Sequence, residues 1–166
     1  MYLIRPLTPA DADIYHRVRL ESLRRHPEAF GASYEEEVLL TPQQVIDKLS
    51  APRFTRFGGF AGRDLVGLAG LQIRPGLKEQ HKAYLFSMYV DAAHRGTELA
   101  RHLVDAVIAG ARAEGAVVIH LSVTMGNGPA QRFYRRMGFS VYGIERRSLK
   151  VNGVFHDEEL MALDLD

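Results

Sequence analysis

The sequence contains no cysteine among its 166 residues. That absence removes disulfides, thiolate metal sites and a cysteine acyl-enzyme, and it suits a reducing cytoplasm. Charge of one dominant sign is missing too: Lys+Arg number 21 against 20 Asp+Glu, a formal net charge of +1. A nucleic-acid partner, which would leave a basic footprint, is therefore not expected. No apolar run approaches the roughly 18 residues that span a bilayer, and Arg5, Asp11 and Asp13 come too early for a secretory apolar stretch. The expectation is a cytoplasmic protein with no membrane partner. The 7 histidines form no H-E-x-x-H or comparable pair, so no metal is expected. Ser87 and Ser122 lack the G-x-S-x-G elbow of a hydrolase, and no Walker A sequence implies ATP. Linkers, repeats and low-complexity segments are absent as well, so residues 1–166 read as one domain.

What is present is an ordinary globular composition, 46% hydrophobic and 25% charged. Thr8-Pro9-Ala10-Asp11 opens a helix expected to run to about Arg25, and Thr41 with Gln44 forms a capping box for a second, to Leu49. Residues 53–61 and 65–73 read as a hairpin about Gly62-Arg63-Asp64. Lys82 to Val90 reads as a strand. Leu99, Leu103, Val107 and Ala111 then mark a helical stripe, stopped at Gly115. Ala116 to Thr124 is nearly continuous in apolar residues, the pattern of a strand buried on both faces. A turn through Gly126-Asn127-Gly128 leads into a short helix ending at Gly138, and a hairpin about Asn152-Gly153 closes the chain. The fold class is α/β: a mixed, mostly antiparallel sheet around one central parallel β-α-β unit, with helices on both faces.

Parallel strands in such a unit bring their carboxyl ends together, where open α/β sheets bind ligands. The turn at Arg95–Arg101 precedes a helix whose first N–H groups are free for an anion. Glu98, a carboxylate, sits in the middle of it. The segment Asn127 to Tyr134 follows the next strand and faces the same crevice.

These two segments together resemble the GNAT superfamily of acetyl-CoA-dependent N-acyltransferases. The family's pyrophosphate motif, Q/R-x-x-G-x-G/A, aligns on Arg95, Gly96, Thr97, Glu98, Leu99 and Ala100. Its later N-x-x-A-x-x-F-Y-x-x-x-G-F pattern is matched throughout by Asn127, Ala130, Phe133, Tyr134, Gly138 and Phe139. The element order agrees as well, so the resemblance covers essentially the whole chain. Glu98 departs from the pattern by replacing the first motif glycine. A solvent-facing Glu98 that lends only its backbone N–H is the expectation, with strain if the turn needs positive φ there.

The resemblance implies direct acetyl transfer from acetyl-CoA, as cosubstrate, to a primary amine of a small molecule or peptide. It places the cofactor on Met88, Tyr89 and Val90, on Arg95 to Arg101, and on Asn127, Ala130, Phe133 and Tyr134. A backbone N–H of Tyr89 or Val90 would polarise the thioester carbonyl, and Tyr134 would protonate the departing sulfur. Arg132, Arg135, Arg136 and Arg101 are candidates for the cofactor's 3′-phosphate, with an exposed basic face as the alternative. The glutamate that many relatives carry on the strand equivalent to Lys82–Val90 is missing, so the base falls among Glu35, Glu36, Glu37, the run His156 to Glu159, or a water chain. Phe30, Ser33, Tyr34, Glu35 and Glu158 are the candidate acceptor contacts. Homodimerisation is common among such domains, although no segment here specifies an interface. The competing class is a non-catalytic acyl-CoA-binding or interaction domain on the same fold, favoured by Glu98 and the missing glutamate. A transferase for longer acyl chains is a third reading.

Overall fold

The computed structural model describes residues 1–166. Seven strands form one sheet: β1 (Leu3–Pro6), β2 (Phe54–Ala61), β3 (Asp64–Ile73), β4 (Lys82–Val90), β5 (Val118–Thr124), β6 (Ser140–Val151) and β7 (Val154–Asp164). Their order is β1-β2-β3-β4-β5-β7-β6. Only β4 and β5 run parallel, and every other neighbouring pair is antiparallel. The expected mixed sheet is the observed one. Five α-helices accompany it: α1 (Ala12–Arg25), α2 (Tyr34–Glu37), α3 (Pro42–Ser50), α4 (Leu99–Ala113) and α5 (Gly128–Arg136). None is long and apolar enough to cross a membrane.

The capping signals do their expected work, with one refinement. Gln44 N–H donates to Thr41 Oγ1 at 3.2 Å while the Gln44 side chain accepts from Thr41 N–H at 2.8 Å. At the first helix Pro9–Asp11 forms a 3-10 turn, and the α-helix proper begins at Ala12. The Asp11 carboxylate accepts from Thr8 N–H and from both terminal nitrogens of Arg5, each at 2.8 Å. That pairing ties the turn to β1, a strand too short to show a period in the sequence.

Helix α4 covers one face of the sheet with Leu99, Leu103, Val104, Val107 and Ala111, all at 0% exposure. Burying each of its leucines and valines contributes about 1.5–3 kcal/mol. Close approach depends on Gly59 of β2, where an added Cβ would lie 2.5 Å from Leu99 Cδ1. Helix α5 adds Tyr134 to this same core. On the opposite face Tyr15, Val18 and Leu23 of α1 and Val45 of α3 pack on Phe60, Leu65, Leu68 and Tyr89.

One expectation fails. β5 is not buried on both faces: Ile119, Leu121 and Val123 are buried, whereas His120 and Ser122 are only half-buried. On the second face Ser122 lines the crevice described next, whereas His120 packs against Tyr142 with ring centroids 5.4 Å apart.

Candidate active site

The parallel ladder between β4 and β5 is short. It joins Lys82, Ala83 and Tyr84 to Val118, Ile119 and His120, and no pairing continues beyond them. Past this point the strands part, leaving a wedge whose polar edges need a partner. Tyr84 and Ser122 share a hydrogen bond of 2.8 Å across its narrow end. Between Leu68 and Gly70 the β3–β4 register shifts, so that three steps of β4 (Phe86 to Tyr89) oppose two of β3. Ser87 takes up the extra residue with φ 54°. Such a bulge bends the strand and re-aims its peptide groups. Beyond it, Asp91 N–H donates to Val66 O at 2.9 Å, toward β3. Alternation along the strand therefore turns the Val90 peptide groups the other way, toward the wedge. The Val90 carbonyl accepts from Arg95 Nε at 3.2 Å on that side.

The turn after β4 is a cradle of free donors. The N–H groups of Gly96, Thr97, Glu98, Ala100 and Arg101 have no acceptor within the chain. Leu99 N–H is taken by Thr97 Oγ1 at 3.3 Å, and Thr97 Oγ1 in turn donates to His94 O at 2.6 Å. Unpaired amides at a helix N-terminus, at the positive end of the dipole, form an anion site. The left-handed residue in the turn is Gly96, at φ 74°. Glu98 has φ −74°, ψ −4°, and its side chain is 73% exposed, 3.8 Å from His102. Glutamate is therefore unstrained at this position and faces water.

Across the wedge, Asn127 caps α5 by accepting from Ala130 N–H at 3.4 Å. Gly138, at φ 97°, lets the chain leave that helix. The Tyr134 ring is held edge-on by Phe133 and Phe139, with centroids 5.2 and 5.8 Å away. Its hydroxyl makes no hydrogen bond within the chain, yet the residue lines the cavity. Burial, helped by the neighbouring Tyr84, pushes the Tyr134 phenol far above its ordinary pKa. It stays protonated across the physiological range.

All of this opens into one cavity of about 1590 Å³. Of the residues singled out in the sequence, its wall includes Phe30, Met88, Tyr89, Val90, Arg95, Gly96, Thr97, Glu98, Ala100, Arg101, Asn127, Ala130, Phe133 and Tyr134. Leu99 is a correction: its side chain belongs to the core and its N–H is already taken. Arg95 reaches the wall, but its guanidinium is turned back onto Val90 and, at 2.7 Å, onto His26 Nε2. Ser33, Tyr34, Glu35 and Glu158 lie outside the wall. Ser33 caps α2 through Glu36 N–H, Tyr34 accepts from Arg24 at 2.6 Å, and Glu158 accepts from Ser148 at 2.8 Å.

Among the candidate bases, Glu37 pairs with Lys48 at 2.8 Å, Asp157 accepts from Arg147 N–H and Glu159 pairs with Arg135 at 3.1 Å. The wall also holds His26, Glu28, Ser87, Ser122, Thr124 and His156. Of these, the placement of Ser122 and Thr124 follows from their position at the carboxyl end of a parallel strand. His26 and Glu28 enter through a loop that no motif marks. Burial, then the charge of Arg95, lowers the His26 pKa, so its ring is neutral and accepts from Arg95. No group of His, Asp or Glu side chains is arranged to hold a metal ion.

The profile of the Acetyltransferase (GNAT) family matches residues 15–139, most of the chain. The protein belongs to this family and is an acetyl-CoA-dependent N-acetyltransferase. Its fold is shared with a GNAT-family acetyltransferase of Streptococcus pneumoniae at a TM-score of 0.86, with 21% identity over 99% of both chains. YncA of Salmonella typhimurium, solved with its cofactor acetyl-CoA, gives a TM-score of 0.86 at 20% identity over 100% of this chain and 95% of that one. The ribosomal-protein-alanine N-acetyltransferase of Brucella melitensis gives 0.83 at 23% identity, over 98% and 99%. No curated protein matches the sequence.

Proposed function

We propose that residues 1–166 form one catalytic domain that transfers acetyl from acetyl-CoA directly to a primary amine of a small molecule or peptide, both substrates bound together in the cavity. The observation that carries this reading is the run of five free amides at Gly96–Arg101 beside the open β4–β5 wedge. An anionic diphosphate fits the first, and an extended amide-containing arm fits the second, pairing with strand edges that have no other partner. Acetyl-CoA supplies the activated acyl group as a thioester.

The chain's own residues supply the rest. Val90 N–H, turned toward the wedge by the bulge at Ser87, is a fixed dipole for the charge that grows on the thioester carbonyl oxygen. Of the two candidates, Tyr89 and Val90, strand alternation favours Val90. Tyr134 donates its proton to the departing sulfur. A phenol this weakly acidic gives the proton up only as negative charge develops beside it, which confines the transfer to bond cleavage. The amine's own proton must also leave. Of the three imidazoles in the wall, His94 is bonded to Tyr2 and His26 to Arg95, whereas His156 is free of partners. His156 and the unpaired carboxylate of Glu28 are the wall groups able to accept it.

The Glu98 geometry removes one argument for a non-catalytic domain, since the residue neither strains the turn nor points into it. Tyr134→Phe tests the reading. It should lower kcat by about 10²-fold or more while leaving acetyl-CoA affinity within about threefold. Equal loss of turnover and affinity would make Tyr134 a binding residue and overturn its role as the acid.

A further inference from the structure

Beside the cavity, behind two of its aromatic rings, lies a cluster of charge that acetyl transfer alone does not use. Arg19 of α1 is 5% exposed, its Nη1 is buried with no hydrogen-bond partner, and no carboxylate lies within ion-pair range of it. Arg56 of β2 donates from Nη1 to Lys48 O at 2.6 Å, but its buried Nε has no acceptor and it too lacks a carboxylate. The one buried carboxylate nearby, Glu37, is engaged by Lys48 at 2.8 Å. Lys48 is partly exposed and Arg56 half-buried, whereas Arg19 sits in the interior with no anion of its own, an arrangement costly to folding unless something else requires it.

Both arginines stand one aromatic ring from the cavity. The Arg19 guanidinium lies 4.9 Å from the Phe30 ring centroid, and that of Arg56 lies 5.4 Å from the centroid of Phe86. Phe30 and Phe86 both line the wall. Phe30 belongs to the irregular segment before α2, next to Gly31, around which the space is open. Phe30 is the ring between Arg19 and the cavity, so access to the guanidinium depends on that ring turning aside. Burial holds the Arg19 pKa below its ordinary value, partly offset by Tyr15 and Glu37 and reinforced by Arg56.

We infer that the acceptor is an amino acid, an amine bearing its own carboxylate, and that Arg19, with Arg56 beside it, takes this carboxylate as the missing anion. The inference rests on the acetyltransferase reading above and adds the class of acceptor. Carboxylate binding holds the substrate by its anionic end and leaves its amine free toward the thioester. Arg19 is a specificity residue; it takes no part in the acyl transfer.

The experiment follows thiol release from acetyl-CoA with each proteinogenic α-amino acid beside its own carboxamide, and with a diamine. The best amino acid should exceed its amide in kcat/KM by about 10- to 100-fold, the worth of a hydrogen bond to a charged group. Arg19→Met should bring that ratio close to one while CoA affinity stays the same. The variant should also melt no lower than wild type, because an apolar side chain of similar volume replaces an unpaired buried cation. Amides used as well as acids, preference for the diamine, or a ratio unchanged in a folded Arg19→Met protein would overturn the inference. If acetyl-CoA binds but none of these acceptors turns over, calorimetry of the CoA complex with N-acetylalanine and N-acetylalaninamide decides. Tighter binding of the acid, lost in Arg19→Met, supports the anion site, and equal or absent binding of both contradicts it. Failure of acetyl-CoA itself to bind would instead remove the parent reading.

Discussion

At the scale of single residues, Glu98 shows how a motif can be broken in letters and kept in shape. The anion cradle needs amides and one left-handed position. The left-handed position is Gly96, and any residue except proline can supply an amide. The carboxylate of Glu98 is mostly in water beside His102. Glu98→Gln should therefore shift acetyl-CoA affinity by less than about fivefold at physiological salt, as expected for an exposed charge. Tightening of tenfold or more, measured by calorimetry, would show that the carboxylate does oppose the diphosphate. Arg95 and Asn127 carry a related lesson. The first is turned onto Val90 and His26, and the second caps a helix. The letters marked their positions in the motif, but side-chain direction depends on groups distant in the chain, such as His26.

At the scale of elements, most helices and strands were legible because each has a local signal, whereas the four-residue α2 was not expected. Thr41 and Gln44 bracket a helix start, and the stripe from Leu99 to Ala111 defines the buried face of α4. β5 misled because its apolar composition hides an alternation. His120 and Ser122 sit among valines and leucines, and their partners, Tyr142 for the first and the wedge for the second, lie far away in the sequence. The bulge at Ser87 was also hidden, since nothing in "LFSMYV" announces an extra residue. The seating of α4 on the sheet depends on Gly59. Gly59→Ala would place a Cβ against the fully buried Leu99, so it should destabilise the protein by about 1–3 kcal/mol. Urea unfolding measures this. An unchanged midpoint would mean that Leu99 has room to yield, and that the turn at the head of α4 is not held by this contact.

At the scale of the whole molecule, the sequence pattern implied a single parallel crossover set among antiparallel neighbours, but not that β7 would lie between β5 and β6. The charge cluster beside the cavity did not follow. Arg19, Arg56 and Glu37 come from separate elements, and nothing in their spacing brings them together. The joint of β1 with α1 shows the same dependence on distant pairing. Arg5, with help from the Thr8 amide, holds the Asp11 carboxyl at about 2, below the ordinary 3.8. Between those values the unfolded chain binds more protons than the native one, so stability falls as pH falls through this window. Thermal unfolding followed from pH 4 to pH 2 should show that decline. Asp11→Asn should melt lower than wild type at pH 7 and decline less steeply below pH 4. Parallel pH profiles for the two proteins would mean that the pair contributes nothing to folding.

Calorimetric titration of wild type and Gly96→Pro with acetyl-CoA asks whether the Gly96–Arg101 amides hold the cofactor, as proposed above. Proline cannot adopt φ 74° and has no N–H, so it both distorts the cradle and removes a donor. Gly96 is exposed, and the folded core should survive the change. Saturable binding to the wild type and at least about tenfold weaker binding to the variant are expected, with the circular dichroism of the two alike. Equal affinity in the two proteins, or no binding to the wild type, would contradict that proposal.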